Sequence, residues 1–180
     1  MKNVLERIVT DKFRIILALA GTVSLAVGAC APTQDNLPLP TAEEVEAHYH
    51  YEGDLEARIS GNVAEITVTQ SASQLRRGGT LWAKVGPYIL LFSEETFQLF
   101  ENYPGLAAVR VITKVKDGPE VARALLARDA LSGVQWRRSL NIAGKARRDG
   151  TRHPSLLEDL VRWGEDHTEF EYNPRYTSRR

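Results

Sequence analysis

Cysteine is almost missing from this chain. Cys30 is the only one in 180 residues, so no intramolecular disulfide can form and the core must hold by packing. No apolar run reaches the roughly 20 residues that a transmembrane helix needs. The longest candidate, Ile15–Ala29, spans 15 residues and is diluted by Gly21, Thr22, Ser24 and Gly28. Net charge is also absent, with 23 basic residues against 23 acidic ones. There is no broad basic surface with interleaved aromatics, which argues against a nucleic-acid partner. No phosphate-cradling glycine motif, nucleophile elbow or internal repeat is present. No cofactor is expected.

What is there begins at the N-terminus. Basic Lys2, Arg7, Lys12 and Arg14 precede the apolar stretch, which ends at Val27-Gly28-Ala29-Cys30. At roughly 22 Å as a helix the stretch is too short for a bilayer core of about 30 Å and suits a signal-peptide h-region. The arrangement resembles the signal peptide and lipobox of bacterial lipoproteins. The resemblance implies that Val27, Gly28 and Ala29 are read by the signal peptidase. It also implies that Cys30 is diacylated, becomes the new N-terminus and is then N-acylated, so that membrane lipid is a partner. Ala31 follows the cysteine in place of the Asp associated with inner-membrane retention. The implied address is the outer membrane of the cell envelope, facing the periplasm.

The chain divides into a leader (1–29), an acylated cysteine with an extended tether (30–41), one domain (42–173) and a polar tail (174–180). Pro32, Pro38 and Pro40 stiffen the tether. Glu43–Tyr51 is predicted as a short helix, and Leu55–Thr69 as a β-hairpin around Ser60-Gly61-Asn62. Ser71–Gly79 reads as a loop, with strands at Thr80–Val85 and Tyr88–Phe92 on either side of Gly86-Pro87. Ser93 should cap a helix over Glu94–Tyr103, and Ala107–Lys116 alternates as a strand. After Pro119 the pattern predicts a helix through Val121, Ala124 and Leu125. A second carries Trp136, Leu140 and Ala143, and a third, Pro154–Trp163, is stopped by Gly164. Thr168–Tyr172 closes as a strand. The expected fold is α+β: a mostly antiparallel sheet of about four to six strands with three to four helices packed on one face.

Three groups carry candidate chemistry. His48 and His50 share a face if their segment is extended, which makes them weak metal candidates, but a zinc site wants three or four ligands and no metal site is expected. His167 follows the expected end of the third helix, where Asp166 or Glu169 could orient it as a general base. Arg137, Arg138, Arg147, Arg148 and Arg152 form a surface suited to an anion or a protein partner, because guanidinium forks bind phosphate and carboxylate. Charge is unevenly spread: residues 30–105 hold 4 basic and 11 acidic groups, and residues 106–180 hold 15 and 10. The first functional expectation is a non-catalytic adaptor, scaffold or accessory subunit of an envelope complex, with an envelope protein as partner. The alternatives are an envelope hydrolase using His167 with Asp166 or Glu169, and a small-ligand or lipid-binding module.

Overall fold

The structure, a computed structural model, describes residues 37–51 and 53–178. Val27, Gly28, Ala29 and Cys30, on which the lipoprotein resemblance rests, lie outside the described residues. Within them, Thr41 caps α1 (Ala42–His48) through a reciprocal capping box with Glu44. The hairpin follows as β1 (Leu55–Ser60) and β2 (Val63–Gln70), with Gly61 supplying the positive φ that its two-residue turn demands. Helices α2 (Ala72–Leu91) and α3 (Glu94–Asn102) then cross over to β3 (Ala108–Val115), which pairs parallel to β2. A second hairpin returns β4 (Glu120–Ala127) antiparallel to β3. Helices α4 (Gly133–Asp149) and α5 (Pro154–His167) lead to β5 (Glu169–Tyr172), antiparallel to β4, and a short α6 (Pro174–Thr177). The five strands stand in chain order with one parallel pairing among four, so the fold is α+β with a mostly antiparallel sheet.

One face of the sheet makes the core. Ala64, Ile66 and Val68 of β2, Val109 and Val111 of β3, and Ala122, Ala124 and Leu126 of β4 are all buried there. Val85, Tyr88, Leu91 and Phe92 from α2 and its C-terminal end join the same core. The other face is charged. Glu65, although on that face, is buried between the guanidinium groups of Arg58 and Arg110, and Arg123 pairs with Glu171. These are the cross-strand partners that the register sets directly opposite each other.

Three local readings change. The expected loop and two strands over 71–92 are instead helical, two segments that meet at Gly79, whose backbone (φ 61°, ψ −152°) is not helical and which together make up α2. Leu81, Val85, Tyr88 and Phe92 recur at helical spacing, and Gly86-Pro87 had disguised it as a break. Gly86 is where the helix lies flush on the sheet: a Cβ there would fall 2.9 Å from Thr113 Cγ2 and would strike the Gln70 amide. Pro87 is tolerated inside the helix, and Gln70 Nε2 donates to the Trp82 carbonyl at 3.2 Å. The expected helix after Pro119 is strand β4. Its Ala- and Leu-rich composition favours helix, but pairing with β3 overrides that preference and buries alternate residues. Gly164 does not stop α5, which runs on to His167. A Cβ at 164 would sit 2.5 Å from the Tyr88 ring, so glycine lets α5 close on α2.

Candidate functional site

Helices α4 and α5 form an antiparallel pair, and the features that could meet a partner gather on it. A capping box of Ser132 and Gln135 starts α4. Trp136 then fixes the helix against Phe97 and Phe100 of α3, with ring centroids 5.3 and 6.2 Å away. Buried Ser139 links the pair: it donates to the Gln135 carbonyl at 2.9 Å and accepts from Trp163 Nε1 at 2.7 Å. The Trp163 ring stacks on His167 at 4.0 Å, and the Arg138 guanidinium lies over it at 4.5 Å.

A solvent-open groove of about 810 Å³ runs between the two helices. Val134, Arg137, Arg138, Asn141 and Ile142 line its α4 side, and Asp159, Arg162, Trp163 and Asp166 its α5 side. Val134 is 67% exposed, the most open of the large apolar side chains among the described residues. Among the described residues, Arg137, Arg138, Arg148, Arg152 and Arg162 form no ion pair with a carboxylate. Arg147 is tied to the fold instead, donating to the Ile89 carbonyl at 3.0 Å. The expected arginine surface therefore gathers on and beside α4 with Arg147 turned aside. Arg162 joins it from α5, where no local run of arginines gave a sequence signal.

The expected catalytic group is dispersed. His167 lies in the last turn of α5, with Nδ1 2.9 Å from the Trp163 carbonyl and Nε2 3.3 Å from the Gln135 amide nitrogen. A proton on Nδ1 satisfies both contacts: that N–H donates to the carbonyl, and the bare Nε2 accepts from the amide. Asp166 faces the groove, while Glu169 lies in β5 opposite Leu125. Neither carboxylate holds the imidazole. His48 ends α1 and is half-buried, whereas His50 is exposed beyond it, so the two do not share an extended segment. Among the described residues no three His, Cys, Asp or Glu side chains converge as metal ligands.

A polar knot joins α2, α5 and β5. The Tyr88 and Tyr172 hydroxyls meet at 2.6 Å, Lys84 lies over the Tyr172 ring at 4.8 Å, and Lys84 pairs with Glu165 at 3.4 Å. Burial, partly opposed by its bonds to Tyr172 and Thr168, pushes the Tyr88 hydroxyl up to about 12. Burial and the contact with Tyr88 raise Tyr172 further. Both phenols therefore stay protonated at neutral pH, which makes them structural bonds and poor bases. Among the described residues no helix is long and apolar enough to cross a membrane. Comparison with protein-family models, curated proteins and solved structures finds no match.

Proposed function

We propose that this chain is a lipid-anchored, periplasm-facing protein of the bacterial cell envelope, acting as a non-catalytic adaptor, scaffold or accessory subunit of an envelope complex. Acyl chains on Cys30 hold it at the outer membrane. The observation that carries the reading is the set of arginines on and beside α4 that lack carboxylate partners, next to exposed Val134. A guanidinium left without an anion in its own fold is free to bind one elsewhere. Anchoring at Cys30 confines the body to two dimensions, which raises its effective concentration for membrane partners and makes modest contact surfaces sufficient.

The hydrolase reading gains no support from His167, whose two nitrogens are engaged by a helix carbonyl and a glutamine. The ligand-binding reading needs an enclosed apolar cavity, whereas the depression between α4 and α5 is an open groove edged by charges. Affinity capture of the lipidated chain from detergent-solubilised membranes tests the adaptor reading, with Cys30→Ser as the unanchored control. The expected result is a reproducible set of envelope proteins that falls away with Cys30→Ser. Recovery of the same proteins from both forms, or of none, would count against it.

A further inference from the structure

The basic residues of the α4 pair are not spread evenly. Helix α4 carries Arg137, Arg138, Lys145, Arg147 and Arg148 against the single acid Asp149. Helix α5 reverses this, with Glu158, Asp159, Glu165 and Asp166 against Arg162. Arg137, Arg138, Lys145 and Arg148 are exposed along α4, and none of them pairs with a carboxylate among the described residues. From 137 to 148 they cover about 16 Å of helix at 1.5 Å per residue. A ridge of that length facing one way suits an extended layer of negative charge better than a single small anion.

The place of this ridge in the fold gives a second argument. At one end of the sheet, Ala107 N–H donates to the Asn62 carbonyl and Arg128 N–H to the Ala107 carbonyl. The chain joins the body at that same end, where Gly105 N–H donates to the Pro38 carbonyl at 3.1 Å. The Arg128 side chain fastens the neighbouring loop through the carbonyls of Phe100, Tyr103 and Leu106. Only Ala130 and Leu131, after Asp129, separate this residue from Ser132, the cap of α4. The start of α4, with its exposed Val134, therefore stands at the end of the body where Leu37, the first described residue, lies. Leu37 and Leu39 are exposed there too, at 53% and 43%.

We infer that the exposed face of α4 rests on the anionic phospholipid headgroups of the membrane to which Cys30 is anchored. Arginine and lysine contact phosphate and Val134 enters the interface, the four cations of α4 outweighing Asp159 and Asp166 across the groove. The inference deepens the anchored reading and rests on it, because the acyl chains bring α4 to the surface and the basic face then fixes the orientation of the body. On this reading the unpaired α4 arginines meet lipid phosphate and not protein, and a protein partner is left the other faces, including the charged face of the sheet.

The test uses the full lipidated protein. With Cys30 acylated, a cysteine introduced at Val134 is the only free thiol and takes a polarity-sensitive fluorophore. The control carries the label at Lys116, exposed at the opposite end of the sheet. Both are reconstituted into vesicles of phosphatidylcholine alone or of phosphatidylcholine with phosphatidylglycerol. The expected result is a blue shift and quenching by brominated lipid at position 134 only, in phosphatidylglycerol vesicles only. Salt near 1 M, where the Debye length is about 3 Å, should abolish it, as should Arg137→Glu with Arg138→Glu, Lys145→Glu and Arg148→Glu. Equal signals from 134 in both vesicle types, or none in either, overturn the inference. A label that is silent in vesicles but shielded in native membranes also overturns it, in favour of an acidic protein, and leaves the adaptor reading intact. A chain that floats with neither vesicle and carries no acyl mass defeats the anchored reading itself.

Discussion

At the scale of single residues, the side chains that matter most to this fold are polar ones placed where backbone groups would otherwise go unpaired. Arg128 is the clearest. Its guanidinium donates to the carbonyls of Phe100 and Leu106 at 2.7 and 2.6 Å and also to that of Tyr103, closing the end of α3 onto the start of β3. Charged hydrogen bonds contribute about 1.5–3 kcal/mol each and are not additive. Arg128→Ala should therefore lower unfolding stability by about 2–4 kcal/mol in urea titration, with Arg128→Lys intermediate. No change on removing the guanidinium would mean that water serves those carbonyls equally well. None of this was legible in the sequence, because Arg128 looks like any arginine beside a turn. His167 misled for the opposite reason: neighbouring carboxylates in sequence suggested a base, while helical geometry gave the ring to Trp163 and Gln135.

At the scale of elements, the sequence was readable where one signal dominated and misleading where two competed. The hairpin at Gly61, the capped helix after Ser93 and the strand over 108–115 each had an unopposed pattern, and the amphipathic stripe of α5 was opposed only at its end, by Gly164. In α2 the Gly86-Pro87 pair spoke against a helix that tertiary packing required, and in β4 helix-favouring residues were drawn into a sheet by their neighbour. Glycine illustrates the ambiguity, since it marks both breaks and close approaches. Gly164 belongs to the second kind. Gly164→Ala should press a methyl group into the Tyr88 ring and cost about 1–3 kcal/mol as α2 and α5 separate. Denaturant unfolding of the variant would read this as a lower midpoint. An unchanged or raised midpoint would mean that the two helices are not locked together there.

At the scale of the whole molecule, the fold class was legible and the candidate surface only in outline. The arginine run was visible, but its assignment to one helix face, the diversion of Arg147 and the contribution of Arg162 depend on how α4 and α5 pack. The same packing buries phenols. Tyr49, against Thr96, is raised by burial, as are Tyr88 and Tyr172. A tyrosine in the unfolded chain ionises near pH 10. Between that point and the raised folded values, the unfolded state binds fewer protons, so stability falls as pH rises. Stability from these groups is thus fully present below about pH 10 and declines progressively above it. Denaturant midpoints should hold up to about pH 10 and drop above it, with the tyrosinate absorbance of the buried tyrosines appearing together with unfolding. Ionisation of all six tyrosines near pH 10 in a chain that stays folded would contradict the burial of these three.

The most direct measurement is the intact mass of the protein extracted from cell membranes. A polypeptide beginning at Cys30 and carrying diacylglycerol plus an amide-linked acyl chain is the predicted result. It would fix the anchor point eight residues before Pro38, whose carbonyl accepts from Gly105 at one end of the sheet. An unprocessed chain, or one cut elsewhere with a free Cys30 thiol, would contradict the anchor and with it the orientation proposed for α4.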